Sequence, residues 1–279
     1  MEYARNGLAR SCNRFPQGTH RPDSTSGRSP DNAASHSVKI RRVYQTDVTA
    51  ANSPRLSDGL RELFPAGALV CELRGPCDLE RLLPEEAGFV QQAVPGRQQE
   101  FAAGRVCARF LLGEFGVLDF PVKMAADRQP LWPAGLIGSI THTSGFCAAV
   151  AAEKTRFAAV GLDCETAGRV RQELWKHICT PAEADWLGSL PPAEQPLAAT
   201  LIFSAKEAFY KCQYPLTREW LYFHDARVDV PAWDPARGEF EVHAARRILL
   251  DAHTAQPLRG RYRCYEGLII AGMALRAPD

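Results

Sequence analysis

Three carboxylates and a lysine stand on two short, well-separated segments. Asp163 and Glu165 lie in Val160-Gly161-Leu162-Asp163-Cys164-Glu165; Glu207 and Lys211 lie in Phe203-Ser204-Ala205-Lys206-Glu207-Ala208-Phe209-Tyr210-Lys211. The first run reads as a strand, in which alternate side chains share a face, so the two acids project together. The second reads as a helix, in which residues at i and i+4 share a face, so Glu207 and Lys211 stand side by side. Such a pair of elements suits a divalent metal and a phosphate, because Mg²⁺ favours one or two carboxylates plus substrate phosphates. The helix also carries Phe203, Ala208, Phe209 and Tyr210. Much of it is therefore expected to be buried, and charged groups on a buried helix need partners. Taken alone, these residues equally suit a strand's solvent face and an ordinary i, i+4 surface pair.

A second group of residues could hold phosphate. Arg97, Arg105 and Arg109 fall within about 120° of one another around a helix. Arginine suits bidentate phosphate contacts, although a solvated helix face has the same spacing. In Arg128-Gln129-Pro130-Leu131-Trp132-Pro133 the prolines fix the backbone. Trp132 can anchor this loop in the core and so hold Arg128 in place; a purely structural loop reads the same way. His142 sits at a strand end before a turn, where its ring can donate to a phosphate. A hydrogen-bonded structural histidine is the commoner occupant of such a position.

The elements that must position these residues follow from hydrophobic patterning. Gly67–Leu73 reads as a strand. Pro84-Glu85-Glu86 suits a helix first turn, and Pro95 to Phe115 reads as a longer helix. Ile137–Thr141 and Phe146–Ala152 read as an antiparallel pair around Thr143-Ser144-Gly145. Phe157–Cys164 follows as a further strand. After Thr166 comes a mixed helical region broken at Pro191-Pro192, then a strong helix over Leu197–Gln213. Strands are expected near Trp220–Phe223, Ala226–Val230, Phe240–Val242, Arg261–Tyr265 and Leu268–Leu275. Helix followed by antiparallel strands, twice over, suggests an α+β fold with two similar halves. The expected organisation is an N-terminal extension over residues 1–55, one half over 56–165 and a second over 166–279.

Composition narrows the class. With 279 residues, 46% hydrophobic, and a net charge of +1, the chain suits a globular protein and gives no sign of a polyanionic partner such as nucleic acid. No apolar run approaches the roughly eighteen residues a membrane span needs. The nine cysteines form no CxxC pair, which weakens a zinc site, and their odd number fits a reducing, cytoplasmic compartment. Residues 1–55 are rich in Arg, Ser, Asn, Gly and Pro. They are expected to be a disordered extension, with a transit-peptide-like composition as the alternative.

Taken in order, several blocks bear a family resemblance. They are Arg97-x-x-Glu100-Phe101-x-x-Gly104-Arg105-x-Cys107-Ala108-Arg109, Arg128-Gln129-Pro130-x-Trp132-Pro133, and Gly138-Ser139-Ile140-Thr141-His142. After them come Val160-Gly161-Leu162-Asp163-x-Glu165, Phe203–Lys211, and Pro215-Leu216-Thr217. Over roughly Leu60 to Leu275 the chain resembles the Sfp-type 4′-phosphopantetheinyl transferases, in the branch that includes the enterobactin-synthetase component D enzymes. The resemblance implies two α/β halves related by a pseudo-twofold axis, with coenzyme A in the cleft between them. It implies Mg²⁺-dependent transfer of the 4′-phosphopantetheine arm to a serine of an apo carrier protein, releasing adenosine 3′,5′-bisphosphate.

The same resemblance implies residue roles. Asp163, Glu165 and Glu207 would hold Mg²⁺, with Glu207 also acting as general base. Lys211 would bind the pyrophosphate and assist the leaving group, with Lys206 as a nearby phosphate contact. Arg105 and His142 would hold the CoA 3′-phosphate, and Arg97 and Arg128 would flank the nucleotide; Arg109 matches the block without a specific role. The partners implied are carrier proteins of fatty-acid, polyketide or nonribosomal peptide synthesis, acted on by a monomer. From position, the stretch between Thr180 and Leu197 is where a carrier is expected to dock. The alternatives are a Mg²⁺-dependent nucleotide or CoA pyrophosphohydrolase, and a non-catalytic CoA-binding regulator.

Overall fold

The computed structural model describes residues 52–244 and 257–278. All but the last few residues of the expected N-terminal extension lie outside this range. Two antiparallel sheets form the frame. The first joins β1 (Arg55–Leu56), β2 (Ala68–Arg74), β3 (Leu136–Thr143) and β4 (Phe146–Glu153) in the order β1-β2-β4-β3. The second joins β5 (Phe157–Thr166), β6 (Ala226–Asp229), β7 (Arg237–Ala244), β8 (Leu258–Tyr265) and β9 (Leu268–Arg276) in the order β5-β9-β8-β7-β6. The helices are α1 (Asp58–Arg61), α2 (Pro84–Ala87), α3 (Pro95–Glu114), α4 (Gln172–Ile178), α5 (Pro181–Ser189) and α6 (Gln195–Thr217). This mixture of helices and antiparallel sheets is the expected α+β class. No described helix is long and apolar enough to cross a membrane.

β4 explains why the first sheet is covered on both faces. Cys147, Ala149 and Ala151 pack with Ala102, Cys107 and Leu111 of α3. The alternate residues Phe146, Ala148, Val150 and Ala152 pack with Leu60, Leu63, Phe157, Val160 and Leu162. A strand buried on both faces reads as one continuous apolar run, as this one does. The hairpin into it closes on Ser144-Gly145, with Thr143 opposite Phe146 and Gly145 at φ 71°. A left-handed residue in a tight hairpin is best supplied by glycine.

α6 covers the second sheet. Its Leu201, Ala205, Ala208, Phe209 and Cys212 join Val228, Phe240, Tyr262, Ala271 and Met273 in one core. Gly161 sets the approach of β5 to this helix, since a Cβ there would overlap the Ala208 carbonyl oxygen. The two-residue period places Gly161, Asp163 and Glu165 on one face of β5, toward α6, while Val160, Leu162 and Cys164 enter the core shared with β4.

Two findings differ from the sequence reading. β5, expected to close the first half, is hydrogen-bonded to β9 and so belongs to the five-stranded sheet. Trp220–Phe223 is not a strand. α6 ends at Arg218 in a left-handed conformation (φ 58°), and the chain then turns through a 3₁₀ segment at Phe223–Asp225, capped by Tyr222 N–H on the Asp225 carboxylate. Trp220 and Phe223 contact α6 instead of a sheet, Trp220 edge-on to Tyr210 at 5.3 Å and Phe223 5.4 Å from Phe203.

Candidate active site

Asp163 is 4% exposed on β5, facing α6. Lys211 Nζ donates to Asp163 Oδ1 at 2.7 Å and to the Leu162 carbonyl at 3.2 Å. Burial alone would lower the lysine pKa, but Asp163 and Glu207 outweigh it and hold Lys211 above the usual lysine value. Glu165 pairs with Arg169, four residues on. Burial first, and the charge of Asp163 second, push the carboxyls of both Glu165 and Glu207 up from the ordinary 4.5 to about 7. The three acids thus feel one another strongly, as carboxylates sharing a site do.

Whether these residues suit a hard divalent cation is answered by their oxygens. Asp163 Oδ2 is buried and has no hydrogen-bond partner, while Oδ1 is taken by Lys211. A bare, buried carboxylate oxygen is a hard oxygen donor of the kind Mg²⁺ takes. The acids are not closed into a cage. Among the described residues no three His, Cys, Asp or Glu side chains are assembled as metal ligands; Lys211 pairs with Asp163 and Arg169 with Glu165.

On the other sheet, His142 Nε2 accepts from Arg97, and His142 Nδ1 lies 3.4 Å from Glu100 Oε2. Glu100 also pairs with Arg97 at 3.3 Å. Burial, then the charges of Arg97, Lys211 and Arg105, lowers the His142 pKa to about 3, so the ring is neutral at physiological pH. Arg105 is buried; its Nε donates to the Val122 carbonyl at 2.8 Å and its guanidinium stacks 3.9 Å over Phe101. A pocket of about 300 Å³ opens beside this cluster, lined by Gly75, Cys77, Glu100, His142, Gly145 and Cys147. A second pocket, between Glu62, Arg237 and Tyr262, contains none of these residues.

Arg128 is exposed at φ 72°, on a tight loop closed by the Met124–Pro130 bridge. As expected, Trp132 anchors this loop by packing in the core, over Gly138, where a Cβ would overlap its ring. An ion pair of 2.9 Å between Asp127 and Arg218 ties the loop to the end of α6.

Lys206 is a correction. Its three ammonium protons go to Glu183 (2.7 Å), the Ile178 carbonyl (2.8 Å) and the Phe223 carbonyl (2.8 Å), in a buried site that fastens α4 and α5 to α6. No proton remains for a phosphate. Arg109 likewise serves the fold, bonded to the buried Glu86 and the Arg81 carbonyl.

Some site residues went unassigned in the sequence. Glu100 bridges Arg97 and His142, and its i+3 spacing from Arg97 was the available signal. Thr141 donates toward Asp163 Oδ1 at 3.3 Å, signalled only by its place in the Ser139-x-Thr141 alternation. Arg169 follows a turn, where spacing predicts no contact.

Comparison with known proteins agrees with this architecture. Residues 85–152 match the 4′-phosphopantetheinyl transferase N-terminal domain, and residues 159–264 match the 4′-phosphopantetheinyl transferase superfamily. The chain is 37% identical over 203 residues to 4′-phosphopantetheinyl transferase Svp of Streptomyces mobaraensis, covering 71% of this chain and 80% of that one. It is 35% identical over 203 residues to 4′-phosphopantetheinyl transferase PptT of Mycobacterium tuberculosis, covering 69% and 86%. To enterobactin synthase component D of Escherichia coli K12 it is 36% identical over 137 residues, covering 48% and 64%. The boundary between the two matched regions falls between β4 and the acid-bearing strand β5, where the first sheet gives way to the second. The chain belongs to the 4′-phosphopantetheinyl transferase superfamily.

Proposed function

We propose that the protein transfers the 4′-phosphopantetheine group of coenzyme A to a serine of an apo carrier protein, with Mg²⁺ as cofactor. The observation that carries this reading is Lys211 held against Asp163 beside two carboxyls of raised pKa, in a chain of this superfamily. Asp163, Glu165 and Glu207 would hold the metal, which when bound supplies charge neutralisation on the pyrophosphate.

The remaining chemistry rests on side chains. The serine oxygen attacks the pantetheine-side phosphorus, and the bond from that phosphorus to the bridging oxygen breaks, releasing adenosine 3′,5′-bisphosphate. Glu207, one helical turn from Lys211, accepts the serine proton. Lys211, which stays protonated, stands by the departing phosphate. Arg97, Arg105 and His142 face the 3′-phosphate, and Arg128 flanks the nucleotide. The carriers would be those of fatty-acid, polyketide or nonribosomal peptide synthesis.

Mass spectrometry of an apo carrier protein incubated with CoA, Mg²⁺ and this protein tests the reading. The expected result is a carrier heavier by one phosphopantetheine. Cleavage of CoA without carrier modification would replace transfer with pyrophosphate hydrolysis.

A further inference from the structure

β3 and β5 are edge strands of different sheets, and they meet without a backbone ladder. Their contact is made by hydroxyls. Ser139 Oγ accepts from Leu162 N–H at 3.1 Å, and Thr141 Oγ1 accepts from Cys164 N–H at 3.0 Å. Both separations are 23 residues, so the strands run side by side in the same direction at this seam. Ser139 and Thr141 are both buried. In backbone terms the two hydroxyls do the same job.

They differ in where the hydroxyl proton goes. A hydroxyl carries a single proton. For Thr141 the acceptors in reach are Asp163 Oδ1 at 3.3 Å and Cys164 Sγ at 3.5 Å. An ionised carboxylate is much the stronger acceptor of the two. Thr141 and Lys211 therefore converge on Oδ1, leaving the buried Oδ2 bare.

Resting on the proposed metal-dependent transfer, we propose that Thr141 is a positioning residue: its hydroxyl locks the Asp163 carboxylate so that Oδ2 is presented to the divalent cation. Ser139 shares the seam but not this role. Residues that orient a metal ligand from behind typically alter metal affinity about ten- to a hundredfold when removed.

The test is Mn²⁺ affinity, read by electron paramagnetic resonance in the presence of CoA, for wild type, Thr141→Val, Thr141→Ser and Ser139→Ala. Melting temperatures are measured in parallel. Both Thr141→Val and Ser139→Ala leave one seam N–H unpartnered, and both should lower the melting temperature. Only Thr141→Val should weaken Mn²⁺ binding, by about tenfold or more, and Thr141→Ser should restore it. Equal Mn²⁺ affinity in wild type and Thr141→Val overturns the positioning role, as does an equal loss in Ser139→Ala. No Mn²⁺ binding by the wild type would instead sink the metal reading beneath it.

Discussion

Lys211 Nζ lies 2.7 Å from Asp163 Oδ1, joining α6 of one layer to β5 of the sheet it covers. The pair occupies the point where metal and pyrophosphate are proposed to meet, so each member neutralises the other until substrate arrives. Replacing Lys211 by Met keeps much of its length and removes the charge. Transfer should fall by about a hundredfold or more, the scale of losing one transition-state electrostatic contact. Steady-state kinetics should place the loss mainly in kcat; a purely KM effect would assign Lys211 to ground-state binding alone.

Glu165 and Glu207 make stability depend on pH in a stated direction. Burial and Asp163 raise both carboxyls from 4.5 to about 7, so the folded protein binds more protons than the unfolded chain between those values. Their contribution is fully present below about pH 4.5 and is lost as pH rises through about 7. A divalent cation relieves the same repulsion. Added Mg²⁺ should therefore raise the melting temperature more at pH 8 than at pH 6. An equal shift at both values would place the cation elsewhere.

Gly161 fixes the gap between the two site-bearing elements. With a methyl group there, β5 and α6 must part, because the obstacle is the Ala208 carbonyl oxygen rather than a movable side chain. Gly161→Ala should cost about 1–3 kcal/mol, the usual range for overpacking a filled core. Urea unfolding checks this, and activity should drop with it as Lys211 is drawn away from Asp163.

Lys206 should behave as a structural residue. Burial lowers its pKa, yet the ammonium is matched by Glu183 and two carbonyls. Lys206→Met leaves the Glu183 carboxylate buried with one fewer partner, which typically costs about 3–5 kcal/mol. Calorimetric CoA affinity of the protein that remains folded should be unchanged. A large loss of affinity at unaltered stability would return Lys206 to the phosphate site.

Much of this was legible in the sequence. The apolar run Phe146–Ala152 marked β4, and the two-residue spacing of Asp163 and Glu165 marked the acid-bearing face of β5. The i, i+4 spacing put Glu207 and Lys211 together, and Pro95 to Phe115 read correctly as α3. What escaped depends on tertiary partners. Lys206 sits in the same motif as Glu207, and only the positions of Glu183 and two distant carbonyls show that it turns the other way. Trp220–Phe223 has strand-like residues but pairs with no strand among the described residues. Membership of β5 in the second sheet is set by β9, more than a hundred residues later.

β4 supplies none of the candidate catalytic groups, yet Ala148, Ala149, Ala151 and Ala152 are wholly buried between α3 on one side and the α1–β5 core on the other. Their methyl groups act as spacers. The depth at which α3 rests, and with it the reach of Arg97 toward His142, is gauged by side chains that carry no charge and touch no substrate. Such a strand has little freedom to drift. Enlarging one alanine presses on the nucleotide side, and on the opposite face it presses on β5. Substitution is therefore expected to be tolerated on the solvent faces of β7 and β8 long before it is tolerated in β4.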